Sequence, residues 1–208
     1  MSFKVTIIDY GIGNIKAFYN LYSRQNIPVS VAKEPKDLKG SMRLILPGVG
    51  SFDWAMQKFN KSGMKDELNN LILNKKLPVL GVCVGMQMMA NSSEEGSMSG
   101  LGWIDAEVKR FKFDSEINNK DLPLPHMGWN DVKPVIDHNL FKGLDKPLFY
   151  FLHSYYFSSS NNDHILARSI YGNEFTCAAI KDNVIGVQFH PEKSHQYGMQ
   201  LLKNFSDI

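Results

Sequence analysis

The feature that most constrains the fold of this chain is a single cysteine at the end of a solid apolar run. Residues 77–82 read Leu-Pro-Val-Leu-Gly-Val, and Cys83 follows with Gly81 and Gly85 on either side. Small neighbours let the backbone turn sharply, so the pattern predicts a strand, a tight turn and then a helix over residues 86–90. Such a turn presents a nucleophile at the end of a strand. Taken alone, the pattern also fits a buried structural cysteine beside turn glycines.

The apolar periodicity around this turn predicts an α/β protein. Up to residue 91, short apolar runs alternate with helical patterns, which predicts βαβ units around a largely parallel sheet. The predicted strands of this half cover residues 4–9, 29–32, 43–46 and 77–82, and the helices cover 15–25, a segment from 51, and 64–74. Later strands are predicted at 107–113, 148–157, 165–168, 174–181 and 184–189, with one helix at 197–205. We therefore expect one domain over residues 1–208, a three-layer α/β fold of the flavodoxin-like kind. Its central sheet is mixed and mostly parallel, flanked by helices, and its C-terminal half is rich in antiparallel strands.

Composition excludes several classes of function. The 208 residues are 43% hydrophobic and 21% charged, with a formal net charge of +2, as in an ordinary globular protein without a strong field for nucleic acid or a membrane. The first residues lack the apolar core of a signal peptide, and no run of about 18 apolar residues is present. Cys83 and Cys177 lie far apart without metal-type spacing. We expect a cytoplasmic protein with reduced thiols, no metal and no organic cofactor.

A cysteine nucleophile needs a base and a group that orients the base. His190 follows the apolar run at 184–189, so its imidazole is expected at a strand end. Glu192 is two residues further on, close enough to hydrogen-bond the other imidazole nitrogen and hold the tautomer. A His-x-Glu sequence is also common as a surface pair, but its position at a strand end makes it the natural partner of Cys83.

A glycine-rich loop supplies the third element of the predicted site. Residues 47–50, Pro-Gly-Val-Gly, end another predicted parallel strand. Acyl chemistry at a thiolate forms a tetrahedral oxyanion that requires backbone N–H donors. Val84 can give one donor, and Val49 or Gly50 can give the other. An ordinary strand-to-helix turn would have the same sequence.

Together these motifs resemble the class I (triad) glutamine amidotransferases. The resemblance rests on residues 81–87, 188–192 and 47–50, and three further segments make it more specific: 9–14 (Asp-Tyr-Gly-Ile-Gly-Asn), 125–130 (Pro-His-Met-Gly-Trp-Asn) and 153–156 (His-Ser-Tyr-Tyr). With these, the chain resembles the glutaminase subunits of imidazole glycerol phosphate synthases over residues 5–205.

The resemblance implies a role for each matched residue. Cys83 attacks the side-chain amide of glutamine, and His190 carries protons with Glu192 behind it. The implied glutamine-binding residues are Gly48, Gly50, Gln87, Ser154 and Tyr155, the last two through backbone contacts. The peptide of the 47–50 loop is implied to turn and complete the oxyanion hole when the partner is loaded.

The resemblance also implies a partner, a (β/α)₈-barrel synthase subunit that receives ammonia through an internal tunnel. Asn14, His126, Gly128 and Trp129 are implied to lie near that interface. Since the glutaminase would occupy nearly the whole chain, the acceptor chemistry requires such a second subunit, with an interface above about 1,000 Å².

Two branches of the family differ in the acceptor of the ammonia. Residues 103–107 (Trp-Ile-Asp-Ala-Glu), the long polar segment 112–124 and the bulky stretch 193–198 depart from the histidine-pathway pattern. These departures resemble the paralogues that amidate an activated sugar for surface polysaccharides. Histidine biosynthesis stays open as the other branch.

Two further functions also stay open. One is a different hydrolase built on an elbow cysteine, of the peptidase or deglycase kind, in which Gln87 and residues 153–155 would have no use. The other is a non-catalytic regulatory subunit that only binds the barrel, against which the intact Cys83, His190 and Glu192 argue.

Overall fold

The computed structural model describes residues 4–113 and 122–208. The first half contains β1 Val5–Ile8, α1 Ile15–Arg24, β2 Val29–Ala32, β3 Leu44–Gly48, α2 Phe52–Lys61, α3 Lys65–Asn69, β4 Val79–Cys83 and α4 Val84–Gln87. The second half contains β5 Ser92–Ser93, β6 Glu107–Arg110, β7 His126–Asp131, β8 Lys133–Pro134, β9 Leu148–His153, β10 Tyr155–Ser158, β11 Ile165–Tyr171, β12 Asn173–Lys181, β13 Val184–Val187 and α5 His195–Phe205. Helix α3 continues into a π-helical segment, Asn70–Asn74, so the predicted helix over 64–74 is confirmed.

Within the described residues, eleven strands form one mixed sheet, in the order β2-β1-β3-β4-β13-β12-β10-β6-β5 with β11 beside β12 and β8 beside β11. The strands from β2 to β13 in this order are parallel, whereas β13, β12, β10 and β6 pair antiparallel. Strands β1, β3, β4 and β13 are buried along their whole length, as expected for parallel strands covered on both faces. The predicted α/β class, with a mixed sheet and antiparallel strands in its later part, is confirmed.

Strand register brings the predicted site together at one edge of this sheet. Gly48 lies beside Cys83 at the ends of β3 and β4, and Val187 at the end of β13 lies beside Val82. Because these three strands are parallel, the residues after their carboxyl ends emerge on the same edge, where ligands bind in open α/β sheets. The glycine loop, the cysteine and the histidine segment therefore meet, although they are far apart in the sequence.

Three local predictions differ from the structure. The single strand predicted over 148–157 is two strands, because the chain changes sheets at Ser154: β9 pairs with β7 in a separate two-stranded ribbon, and β10 joins the large sheet. Strand β7 itself has weak strand propensity and contains Gly128 at φ +137°, so the sequence did not predict it. The helix after Cys83 covers only Val84–Gln87 rather than residues 86–90.

None of the helices in the described part of the chain is both long and apolar enough to span a lipid bilayer.

Candidate active site

Cys83 sits on a sharp turn that its glycine neighbours make possible. Its backbone has φ +55° and ψ −115°, a sparsely populated conformation for a residue with a side chain. A Cβ on Gly85 would overlap the carbonyl oxygen of Leu46, and one on Gly48 would overlap the backbone nitrogen of Gly85. At Gly81 a Cβ would lie 2.6 Å from the Met89 methyl carbon. The elbow therefore fits only when these positions carry no side chain.

His190 and Glu192 form a buried pair. The Nδ1 atom of His190 lies 2.9 Å from Oε1 of Glu192, and their side chains are only 4% and 2% exposed. Burial alone would lower the pKa of His190, but its interactions with Cys83, followed by those with Glu192, raise the pKa to about 10. The imidazole is therefore protonated at neutral pH.

The loop that carries His190 is held in place by its backbone. The His190 amide donates to the Tyr150 carbonyl at 2.8 Å, which ties the loop to β9. The buried hydroxyl of Ser194 donates to the His190 carbonyl at 2.6 Å and accepts from the Tyr150 amide at 3.0 Å. These bonds fix the direction in which the imidazole leaves the chain.

Two further groups face the sulfur of Cys83. Nε2 of Gln188 donates to Sγ at 3.8 Å, and Sγ lies 4.0 Å from the carbonyl oxygen of Leu152. Oε1 of Gln188 in turn accepts from Nε2 of Gln87 at 3.0 Å. The sequence interpretation gave Gln188 no role, although its place beside His190 in an already recognised motif was a signal.

Residues of the segment 9–14 hold the glycine loop after β3 in place. The Tyr10 hydroxyl donates to the Pro47 carbonyl at 2.7 Å, and a Cβ on Gly13 would lie only 2.9 Å from Cβ of Pro47. Gly50 has φ +86° and lies against the indole of Trp54, where a Cβ would come within 2.9 Å. The glycine-rich segment 9–14 thus supports the loop that faces Cys83.

A cavity of about 300 Å³ opens between these elements, a size at the lower end for small-ligand sites. It is lined by Val49, Gly50, Cys83, Val84, Gln87, Glu95, Pro125, Leu152, His153, Ser154, Tyr155, His190 and Lys193. Most of the expected oxyanion and substrate residues lie in this lining. Gly48 does not, because it lies beneath the elbow against Gly85.

Glu95 also lines the cavity, although no sequence motif indicated it, because it belongs to a polar loop. Its Oε2 accepts from the Phe52 amide at the start of α2, at 2.8 Å. The Asp53 carboxylate accepts from the amides of Ser97 and Met98, each at 3.0 Å, and these bonds hold the pKa of Asp53 below its usual value. The loop is thereby attached to α2, and its carboxylate is held at the cavity wall.

The residues expected near a partner occupy different environments. Asn14 is exposed before α1, and its side chain makes no capping hydrogen bond. On β7, His126 is buried, Gly128 is half-buried and Trp129 is 43% exposed. The Trp129 indole stacks on His195, with ring centroids 5.2 Å apart. The structure therefore places His126, Gly128 and Trp129 on one strand, with the His126 side chain turned inward.

The remaining sequence features have ordinary structural explanations. Trp103, one of the departures from the family pattern, is buried and donates from Nε1 to Asn69 at 2.9 Å. Most of the polar segment 112–124 lies outside the described residues. Within residues 4–113 and 122–208, no three or more His, Cys, Asp or Glu residues gather as metal ligands would. Cys177 is fully buried, and burial raises the pKa of its thiol.

Comparison with known proteins gives the class that this fold and site define. Residues 6–208 match the family model described as glutamine amidotransferase class-I, and the chain belongs to that family.

Particular relatives share nearly the whole chain. The imidazole glycerol phosphate synthase subunit HisH of Bdellovibrio bacteriovorus is 55% identical over 98% of this chain and 100% of that protein. The protein of the same name from Leptospira interrogans is 49% identical over the same shares of both chains.

Solved structures share the fold at low identity. A crystal structure of a glutamine amidotransferase superposes with a TM-score of 0.75 at 19% identity, covering 98% of this chain and 99% of that chain. PurLQS from Thermotoga maritima gives 0.74 at 15% identity, covering 100% and 99%.

Proposed function

We propose that this chain is the glutaminase subunit of an imidazole glycerol phosphate synthase, which hydrolyses L-glutamine and passes ammonia to a synthase subunit. The observation that carries the proposal is that Cys83 and His190 line the same cavity, with Glu192 bonded to the far nitrogen of His190. Membership of the class I glutamine amidotransferases supports the reaction type. Residues 1–208 act as one glutaminase domain. A reactive thiol persists in a reducing compartment, so we place the enzyme in the cytoplasm.

In the proposed mechanism the Cys83 thiolate attacks the side-chain amide carbon of glutamine. The carbonyl electrons move to oxygen, and the oxyanion receives backbone N–H donors from Val84 and from Val49 or Gly50. His190 then gives its proton to the leaving nitrogen, so that ammonia departs and a thioester remains. Water, deprotonated by His190, hydrolyses the thioester to glutamate and restores the thiolate–imidazolium pair. Glu192 stabilises the imidazolium form throughout.

The cavity wall also suits the amino-acid end of glutamine. Glu95 and Lys193 contribute opposite charges to the lining of the cavity. A zwitterion carries an ammonium and a carboxylate close together, so a wall with both charges favours it over a neutral amide. We assign Glu95 to the α-ammonium group, and Ser154 and Tyr155 to the backbone contacts expected from the sequence.

The partner is proposed to dock on the outer face of the ribbon formed by β7 and β9. Met127 lies opposite Leu152 in the register, and these side chains are 66% and 36% exposed. Trp129 follows on the same face, and Leu152 also lines the cavity. Ammonia released into water at neutral pH is protonated and is no longer a nucleophile. A (β/α)₈-barrel subunit that covers this apolar face would shield the exit from water.

The names of the relatives favour the histidine-pathway acceptor, since both are called subunits of imidazole glycerol phosphate synthase. The sequence departures at 103–107 and 193–198 keep an activated surface sugar as the alternative acceptor. Two barrel subunits, one from each pathway, distinguish these acceptors: the cognate one stimulates glutaminase turnover and incorporates the amide nitrogen of glutamine into its own product.

The proposed activity is tested by glutamate release from glutamine, with and without the barrel subunit. Cys83→Ala should lower turnover by at least about 10⁴-fold because it removes the nucleophile, and Glu192→Gln should lower it less. Cys177→Ala is the matched control, since it removes the other buried thiol outside the cavity. Turnover of peptides or other amides but not glutamine would indicate a different hydrolase. Tight partner binding without any turnover would indicate a regulatory subunit.

A further inference from the structure

Two buried histidines beside the cavity have no role in the chemistry proposed above. Nδ1 of His126 on β7 lies 3.0 Å from Nε2 of His153 at the end of β9. Both side chains are buried, and the two residues are direct partners in the strand register. Histidines this well enclosed must have their ring nitrogens satisfied by specific partners.

One end of this pair determines the direction of its hydrogen bonds. Nδ1 of His153 lies 2.8 Å from the carbonyl oxygen of Tyr155. A carbonyl oxygen only accepts, so Nδ1 of His153 carries the proton and donates. In a neutral imidazole the other nitrogen is then an acceptor. Hence Nδ1 of His126 is the donor of the bond between the two rings.

The other end requires the same direction. The amide nitrogen of Asn130 lies 2.8 Å from the Ile170 carbonyl and 3.2 Å from Nε2 of His126, and its amide oxygen accepts from the Asp131 backbone N–H at 2.8 Å. The two backbone partners settle which atom of the amide is nitrogen. Asn130 therefore donates to His126, and both histidines are neutral with the proton on Nδ1. Burial lowers the pKa of His126 to about 4 and that of His153 to about 3, which agrees with this assignment.

The chain of donors ends at the segment that lines the cavity. The Tyr155 carbonyl also accepts from Nε2 of Gln87 at 3.2 Å, and Gln87 is linked through Gln188 to the sulfur of Cys83. Ser154 is the residue at which the chain changes sheets: His153 ends the ladder with β7, and Tyr155 begins the ladder with β6. The two donors on the Tyr155 carbonyl add side-chain bonds at this change of sheet.

We propose that His126 and His153 are positioning residues that hold the Ser154–Tyr155 segment in its glutamine-binding shape through a one-way chain of hydrogen bonds from Asn130 to the Tyr155 carbonyl. This inference rests on the proposed glutaminase function. It assigns to His126 a role inside the glutaminase rather than at the partner surface. Neither histidine exchanges a proton with the substrate.

The test compares two substitutions at His126 in the complex with the barrel subunit. His126→Phe keeps a ring between Tyr171 and Phe151, whose centroids lie 4.0 and 4.9 Å from the imidazole, but it removes the donor to His153. We expect the KM for glutamine to rise about tenfold, with a smaller change in kcat, because a buried acceptor loses its partner. His126→Asn can offer an amide N–H near the Nδ1 position and should recover most of the KM.

A second measurement tests the series of hydrogen bonds from Asn130 to the Tyr155 carbonyl directly. Long-range ¹H–¹⁵N spectra of the wild type should show the Nδ1–H tautomer for both His126 and His153, and a proton on Nε2 of either would overturn the inference. Asn130→Ala, at a half-buried site, removes the first donor and should raise KM less than His126→Phe does. It keeps the test decisive if His126→Phe does not fold.

The outcomes separate this inference from the proposed function. Wild-type turnover with an unchanged KM in folded His126→Phe, or in Asn130→Ala where that variant replaces it, overturns the positioning role and leaves the glutaminase intact. Absence of glutamine turnover in the wild-type complex overturns both.

Discussion

At the scale of single residues, the protonation state of His190 depends on the sulfur that it faces. Burial opposes the charged form, and the pKa of about 10 results from Cys83 first and Glu192 second. Cys83→Ala should therefore lower the pKa of His190 well below 10, because the largest opposing influence is removed while burial stays. An NMR titration of the His190 imidazole in both proteins measures this. The same titration midpoint in both would contradict a thiolate–imidazolium pair.

The raised pKa of His190 also links to stability. The folded pKa of His190 lies above the unfolded value near 6.5. The contribution of the protonated imidazole to the free energy of unfolding is therefore fully present below pH 6.5 and is lost as the pH rises through about 10. The advantage of the wild type over His190→Gln in free energy of unfolding should accordingly shrink between pH 7 and pH 10. Urea unfolding at several pH values provides the comparison, and a constant difference would argue that His190 is neutral in the folded protein.

Sequence reasoning identified the three proposed catalytic residues, because each stands at a recognisable position in the sequence. Cys83 and His190 each follow a recognisable apolar run, and Glu192 lies within reach of its histidine by spacing alone. Glu95 could not be found in the same way, because its place depends on hydrogen bonds between α2 and a polar loop from another part of the chain. The role of His126 was also hidden, since a residue's inward or outward direction depends on a strand that the sequence did not predict.

At the scale of elements, the elbow depends on close contact between β3 and the turn after β4. Gly85→Ala should destabilise the protein by about 3 kcal/mol or more, because the added methyl group would overlap the Leu46 carbonyl, and backbone cannot move aside as a flexible side chain can. Gly63→Ala is the control: Gly63 has φ +71° with nothing within 4 Å of an added Cβ, so only left-handed strain of about 1 kcal/mol applies. Chemical unfolding measures both, and equal losses would refute the close-contact explanation.

Elements of the parallel half were predictable, because each buried strand there is a short apolar run bounded by turn residues. The strands of the antiparallel half were harder to predict from the sequence. Residues 148–157 form one uninterrupted run of strand-forming residues, yet Ser154 divides it between two sheets without a glycine or proline to mark the change. Strand β7 exists because β9 pairs with it along its whole length, a tertiary effect that local propensity does not contain.

At the scale of the whole molecule, the ribbon of β7 and β9 is the surface on which the proposed partner must act. Trp129→Ala should weaken binding of the barrel subunit by about thirtyfold, since a large exposed aromatic residue is a typical anchor of an interface. Leu73→Ala is the control, because Leu73 is 42% exposed, close to the 43% of Trp129, but precedes β4 and therefore lies toward the opposite edge of the sheet. Isothermal titration calorimetry measures both affinities. Equal weakening by the two substitutions would exclude the ribbon as the docking face.

The contact of Gly48 with Gly85 has a consequence for protein engineering. The reactive sulfur owes its position to backbone contact between the end of β3 and the turn after β4, so the five residues of the turn do not form an independent unit. Anyone who transplants this nucleophile to a new scaffold must carry over the adjoining strand, its terminal glycine and their mutual spacing as a single unit. A graft of the cysteine turn alone would carry over the flanking residues of the sequence but would lack the contacts that the end of β3 makes with the turn.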